Sequence, residues 1–170
     1  NANYGGGLSF FEGFDNITFN CDFIVNNATV GGAILSAGEC TINNVTFNYN
    51  QATFGGAIYT KGKTTINNTI FNFNFGRDKG GAIYSENNNL SINNVIFENN
   101  FATMGDVIES SNSTLNLKNV TVRNGGSNYG LIRLTNTLIL IENVSFENAI
   151  SNYHTALYLE NCSGKIKNTN

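Results

Sequence analysis

A cassette that begins with glycine recurs along the chain at an almost constant spacing. Gly31, Gly55, Gly80, Gly105 and Gly130 begin matching segments, at steps of 24, 25, 25 and 25 residues. A period of this size is typical of a protein built as a stack of equivalent units, each of which packs only on its neighbours. The chain is therefore predicted to be a solenoid, and its function is expected on a face or an end of the stack.

A second motif, Ile-Asn-Asn-x-x-Phe-x-x-Asn, runs in step with the glycines and begins at Ile42, Ile66 and Ile92, with looser copies at Leu117 and Ile141. Asparagine tolerates the left-handed backbone conformation of a sharp bend. Stacked amides about 4.8 Å apart can also bond along a column. The second Asn of the motif is therefore predicted to form a buried ladder. The column comprises Asn20, Asn44, Asn68, Asn94, Asn119, Asn143 and Asn168.

Short, β-branched, alternating segments lie between these bends and indicate strands. About three strands in each 25-residue unit favour an all-β fold, a single-stranded parallel β-helix of nearly seven turns with an internal Asn ladder. A leucine-rich repeat would need regular leucines, and a propeller blade a longer period. Residues 1–170 are predicted to be one solenoid segment that starts and ends within a repeat, and hence part of a longer array or a protomer that stacks end to end. The predicted interior columns are Phe23, Phe47, Phe71, Phe97, Val122 and Phe146, and Ile42, Ile66, Ile92, Leu117 and Ile141.

Composition narrows the class of partner. The chain has 33 Asn, no Pro, a net charge of −3 and no basic patch, so nucleic acid is not expected as a partner. No apolar run is long enough to span a bilayer.

Cys40 and Cys162 are about five repeats apart, too far for a disulfide. Cys21 aligns with a column of valines and is predicted to be a buried hydrophobe.

The pairing of Gly-Gly-Ala-Ile with Phe-x-x-Asn resembles repeats of chlamydial polymorphic outer membrane proteins and of adhesin-like surface proteins of methanogenic archaea and protists. The first motif occurs at Gly31, Gly55 and Gly80, and the second begins at Phe23, Phe47, Phe71 and Phe97. The resemblance implies a right-handed β-helix displayed outside the cell, with an adhesive or surface-coat role.

Neither a catalytic cluster nor a metal site is predicted. Asp22, Glu39, Asp78, Asp106 and Glu142 fall on different columns and rungs. Residues 76–79, Gly-Arg-Asp-Lys, form a one-residue expansion that is most simply a solvated turn. His154 replaces a cassette glycine and has no second His or Cys in register, so a structural role is favoured over a metal site. No cofactor is expected.

Nine N-glycosylation sequons occur along the chain. Those at Asn44, Asn119 and Asn143 belong to the predicted ladder and are expected to be buried. The remaining six are the better candidates for a covalent N-glycan. They are Asn16, Asn27, Asn67, Asn89, Asn112 and Asn161.

The end of the cassette forms a possible lateral-contact stripe. Ile and Tyr alternate there, so one of these two apolar columns must lie outside. Glu109 falls in the Tyr column and favours an outward Tyr column, whereas Arg133 falls in the Ile column and favours an outward Ile column. Ordinary exposed apolar surface is an equally good interpretation. The residues of the stripe are Ile58, Tyr59, Ile83, Tyr84, Leu157 and Tyr158.

Together these features predict a non-enzymatic, extracellular or cell-surface rod: an adhesin stalk, a coat component or a filament subunit. Its expected partners are other copies of the chain, end to end or side by side, or a cell-surface ligand. The alternative is a carbohydrate-active β-helix enzyme, such as a polysaccharide lyase or hydrolase, whose catalytic rung lies outside this segment.

Overall fold

The computed structural model describes residues 2–11, 17–127, 129–151 and 156–170. This part of the chain is all-β, with no helix, and coils into a β-solenoid of about six turns with about 25 residues per turn. Each strand pairs in parallel with the equivalent strand of the next turn, as in β10 (Ile58–Thr60) and β14 (Ile83–Glu86). The predicted parallel β-solenoid is confirmed.

Three parallel sheets form the sides of the stack. The five-stranded sheet contains β1 (Ala2–Tyr4), β5 (Ala28–Val30), β9 (Gln51–Phe54), β13 (Phe75–Lys79) and β16 (Phe101–Met104). The seven-stranded sheet contains β2 (Leu8–Phe10), β6 (Ile34–Ser36), β10, β14, β17 (Ile108–Ser111), β20 (Ile132–Thr135) and β23 (Leu157–Glu160).

The third sheet has ten strands, because the first three turns cross it in two strands each and the four later turns in one. It contains β3 (Ile17–Phe19), β4 (Phe23–Ile24), β7 (Cys40–Asn43), β8 (Thr46–Asn48), β11 (Thr64–Asn67), β12 (Ile70–Asn72), β15 (Asn89–Glu98), β18 (Thr114–Arg123), β21 (Leu138–Glu147) and β24 (Ser163–Lys167). A separate pair joins β19 (Gly126–Ser127) to β22 (Ile150–Ser151).

Columns of like residues fill the interior. Phe47, Phe71 and Phe97 are fully buried, with ring centroids 4.7 and 4.8 Å apart along the axis. The predicted Ile column lies opposite itself in successive rungs, as Ile66 does with Ile42 and Ile92. Both predicted interior columns are confirmed, except that Phe146 is only half-buried. On the outside, Arg123 lies opposite Glu147 and pairs with it at 2.8 Å, as opposite charges on neighbouring strands favour.

The predicted Asn column forms bends, but the expectation that it is buried is wrong. From Asn44 to Asn168 its members have left-handed φ values between 48° and 55° and exposed side chains. From Asn68 onward their amides bond along the outside of the stack, for example Asn119 Nδ2 to Asn94 Oδ1 at 3.0 Å and Asn143 Nδ2 to Asn119 Oδ1 at 3.0 Å. At these corners the residue before the left-handed asparagine points outward and the residue after it points inward. The side chain of the asparagine itself lies on the outer surface.

The interior does contain stacked asparagines, and they are the last residues of the Phe-x-x-Asn motif. Asn50, Asn74 and Asn100 are fully buried, and Asn26 is half-buried at the end of their column. Asn50 donates from its backbone N and its Nδ2 to Asn74 Oδ1, at 3.0 and 2.9 Å, and Asn74 repeats the pattern towards Asn100. Each of these residues follows a left-handed corner residue, so its amide points into the core.

Cys21 is exposed, so the prediction that it is a buried hydrophobe is wrong. The register places Phe19 opposite Ile42 and Phe23 opposite Phe47. Residues 20–22 therefore span a corner that residues 43–46 span in the next turn. This corner lacks one residue, and Cys21 falls on the bend rather than in the valine column. The same deletion removes Asn20 from the ladder, and its φ is not left-handed. All three cysteines are free.

The two glycines of the cassette have different structural roles. The first holds a left-handed bend, with φ of 65° at Gly55 and 63° at Gly80. The second lies where successive turns come closest: a Cβ on Gly56 would be 2.1 Å from the carbonyl oxygen of Gly81. The glycines are therefore required by backbone geometry.

Candidate functional site

A longitudinal groove runs where the five-stranded sheet meets the outer face of the seven-stranded sheet. One wall is the column Val30, Phe54, Lys79 and Met104, which the strand register aligns. Beside this wall runs the outward column Leu35, Tyr59, Tyr84, Glu109, Arg133 and Tyr158, whose first three members form the floor of the groove. We call this the tyrosine groove. Within it, two cavities of about 320 and 370 Å³ share Val30 and Tyr59 as lining residues.

Glu86 organises the aromatic part of the groove. Its carboxylate accepts hydrogen bonds from the Tyr59 hydroxyl, from Tyr84 Oη at 2.9 Å and from Lys61 Nζ at 2.9 Å. Although burial raises the pKa of Glu86, these bonds outweigh it and the pKa is lowered. Burial and the bond to Glu86 raise the pKa of Tyr59 to about 12. Glu86 is therefore charged, the tyrosines remain protonated, and the rings are fixed with their centroids 5.3 Å apart.

A β-bulge directs Lys79 into the groove. Gly76 lies opposite Ala102 and Lys79 opposite Met104, so β13 carries one extra residue between them. This confirms the one-residue expansion predicted from the sequence, but the expectation that it forms a solvated turn is wrong, because these residues belong to strand β13. Bulges commonly redirect a side chain. Here Lys79 Nζ lies 5.4 Å from the centroid of the Tyr84 ring, a cation–π contact.

Further along the outward column, Glu109 and Arg133 form an ion pair. Arg133 Nη1 donates to Glu109 Oε1 at 2.6 Å, and the Arg133 guanidinium lies 5.3 Å from the Tyr158 ring centroid. Glu109 is only 2% exposed, and its Oε2 has no hydrogen-bond partner among the described residues. Burial outweighs the nearby Arg133 and raises the pKa of Glu109 to about 7.

Arg133 lies in the outward column, so its predicted alignment with the Ile column is wrong. Ile132 lies opposite Ile108, and Arg133 lies opposite Glu109. The step between these rungs is 24 residues, one fewer than the glycine spacing suggests, which moves Arg133 to the outer face. This resolves the open choice between the two columns: Ile faces inward and Tyr faces outward.

The residues of the predicted lateral-contact stripe therefore lie on two different faces of the sheet, the Ile and Leu residues inside and the Tyr residues outside. Ile58 and Ile83 are completely buried, and Leu157 is half-buried against the core. Tyr59 and Tyr158 are half-buried and Tyr84 is 8% exposed, in the outward column. The stripe as predicted is therefore not one exposed surface.

Exposed apolar side chains instead follow the corner between the ten-stranded and five-stranded sheets. Val25, Tyr49 and Phe73 are 71%, 53% and 41% exposed, and each has a left-handed φ. The Tyr49 and Phe73 rings stack at 5.0 Å. Bulky residues rarely adopt this backbone conformation. The same corner is occupied by Asn99 and Asn124 in later turns.

The candidate glycosylation sites that the structure describes are accessible. Asn27, Asn89, Asn112 and Asn161 are exposed, and Asn67 is half-buried. Asn16 lies outside the described residues, as does His154.

The sequons at Asn44, Asn119 and Asn143 are also exposed, contrary to expectation. The Nδ2 groups of Asn119 and Asn143 already donate within the outer ladder, so a glycan there would cost those bonds.

Several of the scattered acidic residues have structural partners. Asp22 Oδ1 accepts the Thr46 backbone N–H at 2.8 Å, and Asp106 Oδ1 accepts that of Ala102 at 2.9 Å. Glu39 pairs with Lys63 at 2.5 Å. Asp78 differs, because its charge acts on Glu109 across the groove wall.

The described ranges contain no group of three or more His, Cys, Asp or Glu side chains placed to hold a metal ion. They also contain no helix with the length and hydropathy of a membrane span.

Sequence reasoning missed most of the groove. Lys61, Lys79, Glu86 and Phe54 come from two neighbouring turns and share no motif, so only the stacking brings them together. A signal was present for Lys79 alone, in the extra residue of 76–79. Comparisons with protein-family models, curated proteins and solved structures find no match to this chain.

Proposed function

We propose that this protein is a non-enzymatic rod of the cell exterior, acting as an adhesin stalk, a coat component or a filament subunit. The observation that carries the proposal is the axial continuity of the stack. Each turn is bonded to the next by parallel strands, by buried Asn amides and by an outer Asn ladder. A solenoid with these bonds resists bending and can act as a stiff spacer.

Two further features support an exterior role. The sequence contains nine sequons, and the resemblance of the repeats points to displayed proteins. As part of the same proposal, the solenoid is right-handed, since parallel crossovers nearly always are. Asn168 opens its seventh turn. Partners are further copies of the chain or a surface ligand.

Surface labelling of cells that produce the native protein tests this location. Antibodies against the solenoid should label intact cells as strongly as permeabilised ones. Beads coated with the purified solenoid should adhere to cells or matrix, or the purified protein should form rods visible by electron microscopy. Labelling only after permeabilisation would refute the exterior role. Monodisperse short particles without adhesion would refute the structural and adhesive roles.

A second function, action on a carbohydrate, is favoured by one observation. Glu109 Oε1 accepts from Arg133 at 2.6 Å, its Oε2 has no hydrogen-bond partner among the described residues, and burial raises its pKa to about 7. A carboxyl with such a pKa can exchange protons at neutral pH. Incubation with a panel of neutral and acidic polysaccharides, followed by detection of new reducing ends or unsaturated products, tests this function. Turnover lost in Glu109→Gln would establish it, and no turnover by the wild-type protein would remove it.

A further inference from the structure

We propose that the tyrosine groove is a binding site for an extended acidic saccharide whose carboxylate pairs with Lys79. This inference rests on the adhesive form of the proposed function and specifies the class of ligand. It arises from the shape of the groove, from its aromatic lining and from the position of one ammonium group.

The shape of the groove suits a chain that lies along the rod. The two cavities adjoin through Val30 and Tyr59, so the groove crosses successive rungs rather than following a strand. Rungs of a parallel sheet are about 4.8 Å apart. That spacing is close to the length of one pyranose unit in an extended chain. Successive sugars would therefore meet equivalent positions of successive rungs.

The lining suits sugar rings. Phe54, Tyr59 and Tyr84 present aromatic carbon to the larger cavity, and Glu86 lies beside them. The C–H faces of a pyranose pack on aromatic rings, while its hydroxyl groups bond to charged and polar side chains. The hydrogen bonds from both tyrosines to Glu86 hold the two rings in place before a ligand arrives.

The charge of the ligand follows from Lys79. Lys61 is neutralised by Glu86, whereas Lys79 has no carboxylate oxygen within 4.0 Å among the described residues. The bulge in β13 holds its ammonium over Tyr84, on the wall of the larger cavity. Lys79 attracts Glu109 only from beyond this distance, so a carboxylate on the bound sugar would give Lys79 its first direct partner.

A peptide fits the same groove less well. The strands of the floor use their backbone groups in pairing with the turns on either side, as β14 does with β10 and β17. A peptide that binds by strand addition needs a free strand edge, and the floor has none between these turns. Recognition must therefore come from side chains, as it does for sugars.

Calorimetric titration with two matched probes tests the proposal: tetragalacturonic acid and its neutral methyl ester. The wild-type protein should bind the acid about tenfold more tightly than the ester, the preference that one new ion pair of this kind provides. Lys79→Met should remove this preference and leave the weak affinity for the ester unchanged. Tyr59→Ala should weaken both probes. Lys118→Met, which makes the same charge change on the ten-stranded sheet, is the control and should bind like wild type.

Circular dichroism and the unfolding midpoint of each variant establish that it is folded. Absence of binding of both probes to the wild-type protein at about 1 mM would overturn the proposal. Equal acid affinity in wild type and Lys79→Met would also overturn it, as would tighter binding of an acidic Glu/Tyr peptide that displaces the sugar. None of these results would affect surface labelling or rod formation, so failure here is distinguishable from failure of the proposed function.

Discussion

Replacing Asn74 by alanine tests whether the buried amides hold successive turns together. The Asn74 side chain donates to Phe47 O at 3.0 Å and to Asn100 Oδ1 at 2.9 Å. It accepts from the backbone N and the Nδ2 of Asn50, at 3.0 and 2.9 Å. The substitution removes four hydrogen bonds inside a core that water does not reach. At about 1 kcal/mol each, the expected loss in the free energy of unfolding is about 4 kcal/mol.

Asn68→Ala is the matched control, because it changes the same residue type on the outer ladder. Asn68 Nδ2 donates to Asn43 Oδ1 at 3.0 Å, and its Oδ1 accepts from Asn94 at 3.3 Å. Water replaces these exposed bonds, so the loss should be about 1 kcal/mol, mainly from placing alanine at a left-handed φ.

Urea unfolding followed by circular dichroism measures both variants. Hydrogen exchange at the Asn50 amide, which bonds to Asn74 Oδ1, reports the local effect in case the solenoid does not unfold in one step. The reasoning is refuted if the two variants lose equal stability, or if the Asn50 amide exchanges at the wild-type rate in Asn74→Ala.

Three further predictions follow from single positions. Val25→Asn should raise the unfolding midpoint, with a gain of about 1 kcal/mol, because asparagine tolerates the φ of 56° better than a β-branched residue; a lower midpoint would contradict this. Gly56→Ala should severely destabilise the stack, because its Cβ would lie 2.1 Å from Gly81 O, whereas Gly126→Ala, with nothing within 4 Å of its Cβ, should be tolerated; equal thermal melts would refute the explanation. The pKa of Glu109 rises from 4.5 to about 7 on folding, so between these pH values the folded state holds a proton that the unfolded state has lost. The free energy of unfolding should therefore fall by on the order of 3 kcal/mol as the pH rises from 4.5 to about 7. Glu109→Gln should flatten this part of the profile, and an unchanged slope would show that another group is responsible.

The architecture could be predicted because every repeat carries the same pattern of residues. The spacing of Gly55 and Gly80, and of Phe47 and Phe71, fixed the length of a turn and the partners of each inner residue, and the pairing of opposite charges at Arg123 and Glu147 followed from the same register. Errors occurred where a turn gains or loses a residue. One missing residue before Phe23 moved Cys21 onto a bend, and one before Ile132 moved Arg133 to the outer face.

The candidate site could not be predicted in the same way. Lys79, Tyr84 and Glu86 lie in one turn, while Phe54, Tyr59 and Lys61 come from the turn before it. No motif links them, and only the stacking of the two turns brings them together. The cassette did indicate an apolar outer column, and its tyrosines form the floor.

By itself, the sequence determined the period, the parallel stacking and the residues that lie opposite one another, because these follow from repetition. Only the tertiary structure decided which side chains face the core. Strand alternation holds only up to the next bend, and a left-handed residue there resets it. Asn68 therefore bonds along the outer surface, while Asn74, one residue past the next bend, lies in the core.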